Sequence, residues 1–326
     1  HTRLCDLLNI EAPILNAPMA TTAGGALAAA VSAAGGLGLI GAMSPGGPDW
    51  LREQIRLVRE RTDRPFGVGF ISWQLPQLPG LYEVALAERV PVIAHSFVDP
   101  SPYVAAAHAA GAKVLCQVQT LAGARAAAQA GVDGIVAQGT EAGGHTGVIS
   151  TLPLVPQVVD AVAPLPVLAA GGIADGRGIA AALMLGADGV WLGTAFYAAQ
   201  ESNASPAKKQ ALVAMGAGDT ILTRVFDLAR GQAWPAGIAI RVGRNRFTER
   251  WHGREEELRQ QRDQVARELS DATVADDITI SPVVVGDGAG LVRAAEAAGT
   301  ILRRLVADAE RTLAERSRVA LGLVPS

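Results

Sequence analysis

The chain reads as an α/β protein, a closed (β/α)8 barrel of the TIM type with a mainly helical lobe inserted near its C-terminal end. Three observations predict this. Eight short apolar runs recur at intervals of one β-turn-α-turn unit. The segments between them carry apolar residues at helical spacing, and several end in glycine stops. Charged residues are 18% of the 326 and hydrophobic residues 49%; the usual charged share is about 25%. That balance suits a parallel sheet covered by helices, buried on both faces.

The strand candidates are Pro13–Ala17, Leu37–Gly41, Phe66–Ile71, Val92–His95, Val114–Val118, Gly134–Ala137, Val167–Ala170 and Val190–Gly193. Counted from Ile14, Gly38, Gly67, Val92, Val114, Ile135, Val167 and Val190, the steps are 24, 29, 25, 22, 21, 32 and 23 residues. Eight strands at this rhythm are what a closed parallel barrel requires. Between them, Asp49–Arg61 places Leu51, Ile55 and Val58 on one face and charges on the other. Ser101–Ala110, Leu121–Ala130 and Gly176–Leu185 are Ala-rich with the same period. Gly111, Gly131 and Gly186 follow helices at the position where a left-handed residue stops them.

The rhythm breaks after Phe196. Ser202–Lys209 is polar and turn-like, and Arg241–Glu268 is densely charged, as a solvated helix face would be. The expected division is residues 1–199 with 283–326 as the barrel and 200–282 as a helical lobe capping the mouth. Val283–Gly290 reads as a strand and a Gly-rich turn, and Arg293–Glu315 as a long closing helix.

Composition excludes several classes. The net charge is −3, so no basic excess awaits a nucleic-acid backbone. Two cysteines, Cys5 and Cys116, cannot form a disulfide framework or a four-thiolate metal site. Ala12–Pro48 is free of charge and long enough to span a bilayer, but its eight glycines and four prolines suit a strand–turn–helix–strand passage instead. The start of the chain lacks the basic and apolar regions of a secretion signal, and a cytoplasmic protein is the expectation. His1 leaves processing open. Gly36–Gly41 matches G-x-G-x-x-G, but it follows a helix and runs along a strand, so it is rejected as a dinucleotide site. Zinc-protease, dithiol, P-loop and nucleophile-elbow motifs are missing.

Chemistry in such a barrel sits beyond the C-terminal ends of the strands. After the sixth candidate strand comes Gln138-Gly139-Thr140-Glu141-Ala142-Gly143-Gly144-His145-Thr146-Gly147. Glycines there let a ligand approach the backbone closely, and His145 is placed to move protons near neutrality, though a structural histidine fits equally. His95 is the other histidine at a strand end. Gly171-Gly172, opening the helix at Gly176, and Trp191-Leu192-Gly193-Thr194 follow strands seven and eight, where barrels hold phosphate. Asn16-Ala17-Pro18-Met19 is small and uncharged, a platform for a flat ring. Glu141 and Asp175 can pair with His145 or a ligand, or simply cap turns. Cys116 and Lys113 lie within or at the start of a strand and read as packing and surface. A phosphate grip, an apolar platform and one imidazole suit flavin mononucleotide (FMN).

These motifs resemble the nitronate monooxygenase family, formerly called 2-nitropropane dioxygenases. The likeness lies in Gln138-Gly139-x-Glu141-Ala142-Gly143-Gly144-His145, Ala17-Pro18-Met19, Ala33-x-Gly35-Gly36-Leu37-Gly38, Ala170-Gly171-Gly172-Ile173, Leu192-Gly193-Thr194, Thr223–Asp227 and Gly286–Leu291. The resemblance implies an FMN-dependent oxidoreductase that oxidises alkyl nitronates with O₂ to carbonyl compounds and nitrite. It puts His145 at the catalytic base. It puts Ala17, Pro18, Met19, Gly69, Gln117, Gln138, Gly143, Gly144, Gly171, Gly172, Trp191, Leu192, Gly193 and Thr194 around the flavin. One departure stands out: many members carry Asn in the third strand, where this chain has Gly69. The partners implied are a nitronate or nitroalkane and O₂, without nucleic acid or membrane, and a homodimer stays open. Two rivals remain: an NAD(P)H-dependent FMN reductase acting on quinones or enoyl thioesters, and a flavin-free barrel for another phosphate ligand. Phe226, Trp234 and Trp251 of the lobe can line the mouth or form lobe core.

Overall fold

The computed structural model describes residues 1–97 and 99–323. The strands of its first two thirds are β1 (Ile14–Asn16), β2 (Gly38–Gly41), β3 (Phe66–Ile71), β4 (Val92–Ser96), β5 (Lys113–Val118), β6 (Gly134–Gln138), β7 (Gly144–Thr146), β8 (Val167–Ala170) and β9 (Gly189–Leu192). All except β7 form one parallel sheet in the order β1-β9-β8-β6-β5-β4-β3-β2. A single parallel bridge between Leu15 and Leu37 brings its edges together, so the sheet is a (β/α)8 barrel. Every barrel strand begins and ends within one residue of its predicted run.

The strands alternate between two apolar layers. Leu15, Leu39, Val92, Leu115, Val136, Leu168 and Trp191 fill the interior, with Leu4, Cys5 and Leu8 of the helix Arg3–Leu8 packed against them. Val68, Ile93, Val114, Ile135, Val167 and Val190 face outward to the helices. That first helix is pinned by a bidentate pair, Arg3 donating to both Asp188 oxygens at 2.9 Å. Gly111, Gly131 and Gly186 take φ of +86°, +85° and +93°, the left-handed stops expected of them. The closing helix runs from Ala298 to Ala320 and packs on the helix Gly176–Met184. A Cβ on Gly176 would lie 2.4 Å from the Asp308 Cβ, so only glycine permits that approach.

The lobe departs from the expectation of helices alone. Helices Pro206–Ala214, Val225–Arg230, Arg246–Trp251, Glu255–Gln260 and Arg262–Val274 are joined by strands β10 (Thr220–Thr223) and β11 (Ala239–Gly243). These make a three-stranded antiparallel sheet in the order β10-β11-β7, whose third strand comes from the barrel loop. Arg241 fastens the junction, its guanidinium donating to the Thr140 carbonyl at 2.8 Å, the Thr220 hydroxyl at 3.2 Å and the Asp287 carboxylate at 3.0 Å. The run from Val283 is no ladder strand: Val283 and Val285 are buried, but the Val283 carbonyl accepts from Gly243 N and Gly286 N donates to Thr194 Oγ1. A 3-10 turn, Asp287–Leu291, follows. Among the described residues no helix is long and apolar enough to cross a membrane.

His95 faces the outer layer of β4, not the barrel mouth. It is fully buried, its Nδ1 lies 2.8 Å from the Ser72 hydroxyl, and its ring stacks on Tyr103 at 5.0 Å. Nε2 has no partner. Burial lowers its pKa from 6.5 to about 4. The unfolded chain therefore binds a proton below pH 6.5 that the folded chain refuses until about pH 4, so stability falls as pH drops through that window. The loss is expected to reach about 2 kcal/mol by pH 5. Urea midpoints at pH 7 and pH 5 should show it, and His95→Phe should flatten that part of the acid limb.

Candidate functional site

The C-terminal ends of the barrel strands and the inner wall of the lobe enclose a cleft of about 710 Å³. Ala17, Pro18 and Met19 leave β1 along one side; Gln117, Gln138 and Trp191 lie along the barrel rim. Gly143, Gly144 and His145 line it from the loop beyond β6, and Gly171, Gly172, Gly193 and Thr194 from the loops beyond β8 and β9. Gly69 is on the rim as well. Leu192 does not line the cleft: its side chain is buried in the outer layer, and its carbonyl accepts from Ala17 N at 2.9 Å.

The glycines fall into two kinds. Gly171 and Gly172 adopt φ of +105° and +72°, a backbone that L side chains rarely take. Around Gly193 a Cβ would meet nothing nearer than 3.6 Å, so its backbone is bare toward the cleft. Gly143 serves packing as well as lining, since a Cβ there would lie 2.5 Å from the Val285 carbonyl carbon. The expectation that the helix beginning at Gly176 lends its end to a phosphate is corrected. Asp175 caps that end itself, accepting from Arg177 N and Gly178 N at 3.0 Å. Glu141 is likewise committed, accepting from Thr151 N at 2.9 Å and the Thr151 hydroxyl at 2.8 Å. Neither carboxylate meets His145.

Three glutamines order the rim. Gln117 Nε2 and Gln119 Nε2 each donate to Gln138 Oε1 at 2.8 Å, and Gln138 Nε2 donates to the His145 carbonyl at 3.1 Å. Gln117 thus spends an N–H on its neighbour and keeps its oxygen for a donor on the ligand. The bare glycine backbone, this amide and the apolar Ala17–Met19 side fit a flat, imide-bearing ring with a phosphate tail, as FMN has.

His145 stands on β7, opposite Ile240 of β11. Its Nε2 lies 2.9 Å from Asp227 Oδ1, with side-chain exposures of 13% and 5%. The indole of Trp234 lies flat on the imidazole, centroids 3.4 Å apart and planes 13° apart. Trp73 and Phe97 set their edges on that indole at 5.3 and 5.1 Å. Trp234 rides a short loop between Gly231 and Gly237, whose φ values are +65° and +80°. Of the three lobe aromatics, Trp234 lines the mouth, while Phe226 and Trp251 belong to the lobe core. Asp227 was not singled out by sequence as an acid; its place in the Thr223–Asp227 motif was the available signal. Cys116 is packing, with burial pushing its thiol up to about 12.

Gly69 gains a physical account. A Cβ there would lie 2.3 Å from Pro18 Cγ and 2.4 Å from Pro18 Cβ, so the proline ring fills the space a side chain would need.

The nitronate monooxygenase family model matches residues 1–308. A probable nitronate monooxygenase of Staphylococcus aureus (strain Newman) is 36% identical over 276 residues, 70% of this chain and 77% of its own length. The structure of FabK from Thermotoga maritima superposes with a TM-score of 0.87 and 37% identity, covering 97% of this chain and 98% of that one. A nitroalkane oxidase from Streptomyces ansochromogenes gives 0.80 and 32% over 94% and 98%.

Gly69→Asn is expected to drive Pro18 off the rim and disturb the platform beside it. Such overpacking costs about 1–3 kcal/mol. A drop in the urea midpoint, together with about tenfold weaker FMN binding by flavin-fluorescence titration (about 1.4 kcal/mol), is the expected outcome.

Proposed function

We propose, from the premise that this chain belongs to the nitronate monooxygenase family, that it oxidises alkyl nitronates with O₂ to carbonyl compounds and nitrite, with His145 as the base that admits neutral nitroalkanes. The chain is a flavoprotein oxidoreductase, and FMN, when bound, supplies the electron acceptor that no side chain can. In this reading Gly171, Gly172, Gly193 and Thr194 hold the phosphate, and Ala17, Pro18, Met19, Gly69 and Trp191 lie under the ring. Gln117, Gln138, Gly143 and Gly144 meet its polar edge. Residues 200–282 act as the cap.

The observation that carries the reading is the identity of the acid–base groups at the cleft. Glu141 and Asp175 are tied up as caps. Burial holds the Tyr197 phenol up at about 12, so it stays protonated. Lys208 lies 3.5 Å from Asp276. His145 is left, an imidazole on the cleft wall, the side-chain type suited to take an α-proton near neutrality. A nitroalkane entering over the rim would lose that proton to His145 and become the nitronate. A preformed nitronate would need no such step.

The likeness to FabK supports a second reading, an NAD(P)H-dependent flavin reductase for quinones or enoyl thioesters. There His145 would donate a proton instead of taking one.

His145→Asn should keep bound FMN, seen in the visible spectrum, and lower nitrite release from a neutral nitroalkane by about 10²–10⁴-fold. Turnover of the preformed nitronate should change little; equal loss on both would remove His145 from the base role. Anaerobic mixing with NADH should leave the flavin band intact, and rapid bleaching would turn the assignment to the reductase.

A further inference from the structure

The acid–base reading of His145 leaves open which of its two nitrogens does the work. Three observations bear on this. Nε2 is 2.9 Å from Asp227 Oδ1. The other carboxylate oxygen, Oδ2, is sealed from solvent and has no hydrogen-bond partner among the described residues. Nδ1 has no hydrogen-bond partner among the described residues, and His145 lines the cleft.

We propose that Asp227 is a positioning residue: its carboxylate holds the proton of His145 on Nε2 and so presents Nδ1 as the atom that exchanges a proton with the ligand. The inference rests on the reading of His145 as the acid–base group, and it names the atom and the residue that selects it.

The chemistry of the carboxylate supports this. An ionised Asp accepts and cannot donate. Asp227 is 3% exposed, and His145 is its one side-chain donor among the described residues. Giving up the Nε2 proton would leave the buried carboxylate without a side-chain hydrogen bond, even with the Arg230 charge nearby, so that proton is the costly one to lose. The Trp234 stack alone could not make the choice. A half-turn of the ring about Cβ–Cγ keeps the imidazole in the same plane, so the stack survives it. The same half-turn carries Nε2 away from Asp227. Trp234 therefore fixes the plane of the ring and Asp227 fixes which edge faces which way. Second partners of this kind commonly set the tautomer of a working imidazole.

The test is a ¹H–¹⁵N long-range correlation spectrum of the FMN-loaded protein labelled at histidine nitrogen, with the His145 signals identified by their loss in H145Q. The expected spectrum of the neutral ring shows hydrogen on Nε2 and a bare Nδ1. Asp227→Ala, which removes the acceptor, should give a tautomer mixture, as should Asp227→Asn, which keeps the volume. Nitrite release from a neutral nitroalkane should fall about 10²-fold in kcat with little change in KM, while the preformed nitronate is turned over as before. A wild-type ring with hydrogen on Nδ1 would overturn the proposal, as would both variants keeping the wild-type tautomer and turnover. If the wild-type spectrum is as expected but no nitronate is oxidised, the tautomer assignment stands and the proposed activity falls.

Discussion

The antiparallel pairing of β7 with β11 is the constraint on which the site depends. Thr146, His145 and Gly144 lie opposite Ala239, Ile240 and Arg241. β11 in turn pairs with β10, and β10 leads into the helix that carries Asp227. An imidazole from the barrel and a carboxylate 82 residues later meet because three short strands are in register. A slip of one residue would turn His145 to the opposite face of that sheet. The loop that carries His145 is thus a strand of the lobe as much as a loop of the barrel.

Around this junction each polar group has a defined use. Glu141 and Asp175 satisfy helix ends, and neither meets His145. The three glutamines pass hydrogen bonds from β5 toward the His145 carbonyl. Glycine makes room at two scales: Gly143 lets the Val285–Gly286 backbone close on the loop, and Gly69 lets Pro18 lie on the rim. The apolar barrel below needs no such provision, because its parallel ladder satisfies its own backbone.

How legible the molecule was follows from where its information is stored. The barrel strands are continuous apolar runs bounded by turns, so one sequence suffices to find them to within a residue. The glycine helix stops and the solvated face of Arg241–Glu268 are local signals too. β7 was illegible: Gly144-His145-Thr146 has neither length nor alternation, and it becomes a strand only because β11 arrives beside it. The Val283–Val285 run shows the reverse error. It has strand composition, but the Val283 carbonyl takes a single bond from Gly243 and the next residue, Gly286, donates to the Thr194 side chain, so no ladder forms. Thirteen of the fourteen residues expected around the flavin line the cleft, most of them expected from their place at strand ends, Gly69 and Gln117 from the family resemblance; Leu192 alone points away. Asp227 escaped notice as an acid because its side-chain hydrogen bond, the one it makes among the described residues, is to a residue remote in sequence.

The three contacts of Arg241 have a consequence for traffic. One guanidinium holds the loop after β6, the start of β10 and the turn at Asp287 together, so it acts as a rivet where lobe and barrel meet. A swing of the whole lobe would have to shear it. The short span between Gly231 and Gly237 lies outside those three contacts, and it carries the indole that rests on the imidazole. A molecule that displaced that indole would uncover the face of the His145 imidazole as it arrived.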